Sequence, residues 1–220
     1  MQGNIYRDKI YPLQDRILKV LEDLDLDFYL TGGTALSRCY LQHRYSDDLD
    51  LFVNDLPTFK NQCKTMIDAC KKKWHVDITT TSDSFLRYFI ETGGDVSIKI
   101  DFVNDVPFHY GKIETCSIFH RVDNWRNILS NKICALSRLE IKDLADIIHI
   151  SQKYAFEWED IIHEAKEKDL WVDPLEICRM INEFNLGPLS DIKWIKELNN
   201  GEIKEKANLL HDDIFRGNSN

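Results

Sequence analysis

Long apolar runs are missing from this chain, and no stretch approaches the roughly 20 consecutive apolar residues that a bilayer crossing needs. The first residues, Met1 to Lys9, also lack the apolar centre of a secretory signal. No membrane association is expected, and the expected location is cytoplasmic. The six cysteines, at 39, 63, 70, 116, 134 and 178, include no C-x-x-C pair. That speaks against structural zinc and leaves the thiols expected to be reduced and mostly packed. No H-E-x-x-H spacing occurs among the histidines. A basic surface is lacking too, since the formal net charge is −9 and neither half is a basic arm. Bulk electrostatics therefore repel nucleic acid, and a polyanion would have to be held by a local patch or through divalent cations. With 43% hydrophobic residues the chain is not disordered, and 220 residues suffice for one globular unit with a helical extension.

Apolar spacing from Asp8 to Leu24 predicts a helix, followed by a short buried strand at Phe28-Tyr29-Leu30. Gly32-Gly33 reads as a tight turn and Thr34 to Leu41 as a helix, giving a strand, glycine turn, helix unit. Leu49 to Val53 reads as a strand, and Asp55 to Lys73 as a helix. Three further strands are expected at Val76–Thr81, Phe85–Glu91 and Val96–Val103, with turns at Asp83 and at Gly93-Gly94. After Gly111 glycine nearly vanishes and helical periodicity takes over. Helices are predicted at Asn124–Leu129, Lys132–Tyr154, Trp158–Lys168, Pro174–Phe184, Leu189–Leu198 and Ile203–Ile214. The fold class expected is α/β (α+β): a mixed sheet with flanking helices over residues 1–110, then a helical half over 111–220.

The residues that carry chemistry lie around the glycine turn. Gly32 and Gly33 let the backbone approach a ligand closely, and the helix that begins at Thr34 presents free N–H groups suited to phosphate. An ordinary tight turn reads the same way. Asp48 and Asp50 are two residues apart on a strand and share a face, while Leu49 and Leu51 take the buried one. A divalent cation relieves the repulsion between two such carboxylates, and two solvated aspartates are the plain alternative. In Val96 to Val103, Ser97, Lys99 and Asp101 alternate with apolar residues, so Asp101 would join the pair if the strands are neighbours. Three acids beside a glycine turn suit two-metal phosphoryl transfer, with Lys99 as a phosphate ligand or a solvated strand lysine. Further on, Arg138, Lys142 and Asp146 follow at steps of four on one expected helix face, with Asp143 adjacent. Lys60, Lys64 and Lys71 to Lys73 form a basic helix face for RNA or a solvated helix end.

Gly32-Gly33-Thr34-Ala35-Leu36, then His43-Arg44-Tyr45-Ser46-x-Asp48-Leu49-Asp50-Leu51-Phe52, resembles the signature of the AbiEii/AbiGii-type nucleotidyltransferase toxins, members of the DNA polymerase β-like superfamily. The order continues with Lys99-Ile100-Asp101-Phe102 and with Asn131-Lys132, Ala135-Leu136, Arg138, Lys142-Asp143 and Asp146. The resemblance implies a polymerase β-like nucleotidyltransferase core with a nucleoside triphosphate as donor and Mg²⁺ as cofactor. It implies Asp48 and Asp50 as metal ligands, which Asp101 would join in the two-metal arrangement read above. Gly33 and Ser46 would then lie at the triphosphate, beside Gly32, Thr34 and Lys99 as read above from the turn and the strand. Lys132 and Asp143 would be the later active-site residues, with Arg138, Lys142 and Asp146 beside the nucleotide and residues 111–220 completing the cleft. The acceptor implied is RNA, at a tRNA 3′ end, and the setting a toxin–antitoxin or phage-exclusion system with a cognate antitoxin. Three alternatives remain. Transfer to a small molecule, as in aminoglycoside nucleotidyltransferases, uses the same chemistry. A glycosyltransferase would leave Gly-Gly unexplained, and a catalytically silent nucleotide- or partner-binding module would leave the complete set of acids unexplained.

Overall fold

The structure, a computed structural model, describes residues 2–92, 96–185 and 187–219. The chain divides into two compact units, Met1–Tyr40 with Tyr45–Asn124, and Leu41–Arg44 with Trp125–Asn220. The first unit opens with a short helix α1 (Gln2–Ile5), a π-helical turn (Tyr6–Ile10) and helix α2 (Tyr11–Asp23), so the helical run begins before the expected Asp8. Helix α2 buries Leu13, Ile17, Leu18 and Leu21, the stripe that its apolar periodicity requires. Strand β1 (Tyr29–Thr31) leads into a helical turn α3 (Gly32–Ala35), which continues as a π-helix (Leu36–Leu41). Then come β2 (Leu49–Asn54), α4 (Phe59–Lys71), β3 (His75–Thr81), β4 (Phe85–Glu91), β5 (Ser97–Asp105), β6 (Glu114–Cys116) and β7 (Phe119–Val122).

All seven strands join one mixed sheet in the order β3-β4-β5-β2-β1-β7-β6. Strand β2 sits near its middle, antiparallel to β1 and parallel to β5. Leu49, Leu51 and Val53 are buried, while Asp50, Phe52 and Asn54 alternate with them on the opposite, half-buried face. Strands β6 and β7 lie in the stretch expected to be helical, and the first unit accordingly runs to Asn124 and not to residue 110. These two strands have only three and four residues, too few to display an alternating pattern. The turn expected at Gly93-Gly94 lies outside the described residues.

A second difference concerns the thiols. Cys39, in the π-helix after the glycine turn, is disulfide-bonded to Cys116 on edge strand β6, whereas Cys63, Cys70, Cys134 and Cys178 form no disulfide among the described residues. A spacing of 77 residues carries no pairing signal, so the bond was not legible in the cysteine positions alone.

The second unit consists of α5 (Trp125–Ala135), a 3₁₀ turn (Leu136–Arg138), α6 (Ile141–Ser151), α7 (Trp158–Lys168), α8 (Pro174–Glu183), a second 3₁₀ turn (Gly187–Asp191) and α9 (Asn200–Arg216). The single helix expected over Lys132–Tyr154 is broken, because Leu139 adopts φ 51° and ends the first half in a left-handed cap. The helix expected over Leu189–Leu198 is limited to its 3₁₀ start. The backbone N–H groups of Ile195 and Lys196 donate to the His43 carbonyl, both at 2.9 Å, which commits them outside any helix. Asp173 caps α8 ahead of Pro174, and Asn199 with Glu202 forms a capping box at α9. Trp158 is buried and its ring meets Phe156 edge to face at 4.7 Å. No described helix is long and apolar enough to cross a membrane.

Candidate active site

At the end of β1 the backbone comes close to an acid. Gly32 has φ +67°, a conformation that an L side chain adopts only at a cost, and a Cβ placed on it would come within 2.3 Å of the Asp50 carboxylate. Thr31 pairs with Asp50 across β1 and β2, so the glycine turn lies directly on this acid. Thr34 is fully buried and its hydroxyl donates to the backbone carbonyl of Asp48. Its oxygen thus braces the acid-bearing segment from behind, a positioning contact where a phosphate contact was expected. The amide of Gln14 does the same work upstream, donating to the carbonyls of Ser46 and Asp47 at 3.1 Å each. Tyr6 adds a bond to the Asp47 carboxylate.

The expected neighbour relation of the third acid is observed: Asp101 on β5 stands in register with Asp50 on β2. Lys99 lies among the acids, 2.8 Å from Asp48 and 3.7 Å from Asp101. Burial pulls the Lys99 ammonium down, but Asp48, Asp101 and Asp50 outweigh it and leave its pKa above the ordinary value. Asp101 is further engaged by Arg87 of β4, with Nε and Nη2 each 2.7 Å from a carboxylate oxygen. Arg87 was not among the expected residues, although the β4–β5 hairpin register sets it directly opposite Asp101. Among the described residues, no three His, Cys, Asp or Glu side chains are gathered closely enough to hold a metal ion between them. Mg²⁺ does not need three such groups, since it commonly takes one or two protein carboxylates and completes its shell with water and substrate phosphate. Lys99 already stands as a cation among these oxygens, so donor type and charge fit a hard divalent ion.

In the second unit the later motif forms a separate buried cluster. Lys132 on α5 lies 2.6 Å from Asp143 and 2.8 Å from Asp146, both fully buried on α6. Arg138 reaches Asp143 at 2.8 Å from an exposed position, whereas Lys142 points to solvent. Arg138, Lys142 and Asp146 therefore do not share a helix face, because the break at Leu139 separates the first from the other two. Asp146 also takes a two-pronged bond from Arg44, with both N···O distances 2.7 Å, and one from His43 at 2.8 Å. Burial raises the Asp146 carboxyl, but Arg44 and Lys132 overcome this and hold it well below the usual carboxylate range. Asp146 is thus a clasp on the short segment Leu41–Arg44, and the sequence continues from that segment to Ser46, Asp48 and Asp50. His149, 4.6 Å from the His43 ring, is pushed down to about 4, chiefly by burial.

A mixed α/β sheet that seats a glycine turn on paired strand carboxylates defines a nucleotidyltransferase core. The family model of the nucleotidyl transferase AbiEii toxin, type IV toxin–antitoxin system, matches residues 16–215, and the chain belongs to that family. It is accordingly an enzyme that transfers nucleotidyl groups, from a family of toxins. Among solved structures, JHP933 from Helicobacter pylori superposes with a TM-score of 0.57 at 20% identity, covering 94% of this chain and 92% of that one. MenT4, a nucleotidyltransferase toxin from Mycobacterium tuberculosis H37Rv, gives a TM-score of 0.59 at 12% identity, covering 98% and 89%. At such identities the likeness is one of fold. No curated protein matches the chain.

Proposed function

We propose that this enzyme transfers a nucleoside monophosphate from an NTP to a hydroxyl at an RNA 3′ end, a tRNA end in the family's manner, with Mg²⁺ as cofactor and a cognate antitoxin as its restraint. The observation that carries the proposal is the seating of Gly32 on Asp50, with Asp101 in register beside it. In the reaction, the acceptor oxygen bonds to the α-phosphorus, the α–β phosphoanhydride breaks, pyrophosphate leaves, and the hydroxyl proton passes to solvent. Bound Mg²⁺ would supply charge neutralisation of the triphosphate and polarisation of the acceptor hydroxyl. Asp48 and Asp50 would hold it. Asp101, fixed by the two-pronged bond from Arg87, orients Lys99. Lys99 turns from Asp48 toward phosphate when the donor arrives, because a triphosphate offers a stronger partner than a carboxylate shared with a metal. The backbone at Gly32 and Gly33 and the Ser46 hydroxyl serve the triphosphate.

Lys132 and Asp143 take their roles in the transfer from the motif match, with Arg138 and Lys142 as graded contributors from a more exposed setting. Asp146 belongs to positioning, since its carboxylate is fully spent on Arg44, His43 and Lys132. The test is incubation with Mg²⁺, each α-labelled NTP, and either total RNA or a small-molecule extract. Label in RNA is the expected result. Label confined to small molecules would replace the RNA acceptor by a small one, and no label in either fraction from folded protein would leave a binding module.

A further inference from the structure

The sheet face that carries the acids ends in a cavity that the transfer chemistry does not use. Its volume is about 310 Å³, the lower end of the range for ligand pockets. Asn54, on the same face of β2 as Asp50, lies at its wall, four residues and therefore roughly 13 Å further along the strand. Tyr29 and His109 contribute rings that meet edge to face at 5.3 Å. Val53, Leu56 and Ile113 contribute aliphatic surface.

Arg121 supplies the cation. Its Nη2 donates to the Asp27 backbone carbonyl at 2.8 Å, while its buried Nε has no hydrogen-bond partner among the described residues. The bond to Asp27 holds the guanidinium at the cavity wall, where its plane is available to a flat ring.

The surroundings decide the ligand class. Burial first, then Asp123 and Asp105, push the Tyr29 phenol up, so it stays a neutral donor to Asn54 at 2.8 Å. Asp27 at the wall adds to the same negative field, which disfavours a phosphate. A flat, uncharged heterocycle carrying acceptors fits rings, aliphatic wall and guanidinium together, and proteins take up unstacked RNA bases on such aromatic and arginine surfaces.

We infer that this cavity receives an unstacked base of the RNA acceptor, from a nucleotide upstream of the reacting 3′ end. The inference rests on the RNA reading above. The cavity is also wired to the glycine turn. His109 is 3.0 Å from one oxygen of the fully buried Asp123, and the Thr31 hydroxyl donates to the other at 2.7 Å. Thr31 immediately precedes Gly32, so a base resting on His109 steadies the residue that sets the turn.

The test uses the full chain and a fluorescein-labelled single-stranded RNA of about eight nucleotides, with binding read by anisotropy without NTP. Arg121→Gln and Ile113→Trp, checked for folding by circular dichroism and melting, should each weaken RNA binding roughly tenfold, the loss expected for one stacked base. NTP affinity should be unchanged in both. In wild type, an abasic substitution at one position upstream of the 3′ end should cost the same tenfold, and in Arg121→Gln it should cost little more. If RNA binds but the abasic scan is identical in wild type and both variants, the cavity is not the base site and the RNA reading stands. If wild type binds no RNA, the RNA reading falls and this inference falls with it.

Discussion

Replacing Gly32 with alanine adds one methyl group, and the structure specifies where it goes. At φ +67° an L residue is disfavoured by roughly 1–2 kcal/mol, and the new Cβ would sit 2.3 Å from the Asp50 carboxylate. Either the carboxylate swings away or the turn opens. Both relieve the contact, so the stability cost stays near 1–3 kcal/mol, or roughly 2–12 °C in melting temperature for a chain of this size. Transfer should suffer more, because displacing a reacting group by about 1 Å can cost on the order of 10²-fold in rate. Gly111→Ala is the matched control: Gly111 has φ +78°, and its added Cβ would meet the Asn124 side chain at 2.7 Å, with no carboxylate among its nearest contacts. It should lose similar stability while keeping transfer within a few-fold of wild type. Thermal melts and transfer of α-labelled NTP measure the two quantities separately. Gly32→Ala with near-normal transfer, or Gly111→Ala with an equal loss, would refute the argument that the glycine turn positions Asp50.

Lys99→Met should lower stability without metal by about 1–2 kcal/mol, since it removes the cation from beside Asp48 and Asp101. Mg²⁺ should then raise the melting temperature of the variant more than that of wild type, and equal shifts would show that Lys99 and the metal do not share the site. Acid should weaken the second unit through His149, whose folded value of about 4 lies below the unfolded 6.5. Its stabilising contribution is complete above pH 6.5 and is lost as pH falls toward 4, on the order of 2–3 kcal/mol after allowing for partial exposure. Urea unfolding of wild type and His149→Gln across that window should converge by this amount, and parallel curves would refute it. The depressed Asp146 adds a loss only below the ordinary carboxylate range. Reducing Cys39–Cys116 releases a constraint over 77 residues, worth about 4.5 kcal/mol by chain entropy, so the first unit of Cys116→Ser should unfold at correspondingly lower urea. Coincident oxidised and reduced transitions would contradict this.

The parts of the site that were legible in the sequence are those governed by local rules. Alternation along β2 sets Asp50 opposite the buried Leu49 and Leu51, with Asp48 just ahead of the strand, and a glycine pair after a strand marks a close backbone approach. Asp101 was legible as a candidate, but its place beside Asp50 depends on β2 and β5 being neighbours, a long-range pairing that no local pattern encodes. Arg87 was missed for the same reason, because its role needs the hairpin register and not its own neighbours in the chain. Asp123 and His109 were missed because they lie around β6 and β7, strands too short to show a period. Arg138, Lys142 and Asp146 read as one face only while the helix is taken as unbroken, and Leu139, an ordinary helix former, gives no warning of its left-handed cap. Asp146 as the clasp of His43 and Arg44 depends on a contact across about a hundred residues.

The central claim is that nucleotidyl transfer runs on the paired carboxylates beside the glycine turn. Asp48→Asn and Asp50→Asn keep the shape of each side chain and remove its charge, so transfer from Mg²⁺ and α-labelled NTP isolates that claim when melting curves are compared alongside. Transfer should fall at least about 100-fold in each variant, with melting temperatures within a few degrees of wild type. Transfer at the wild-type rate in both variants would contradict the account.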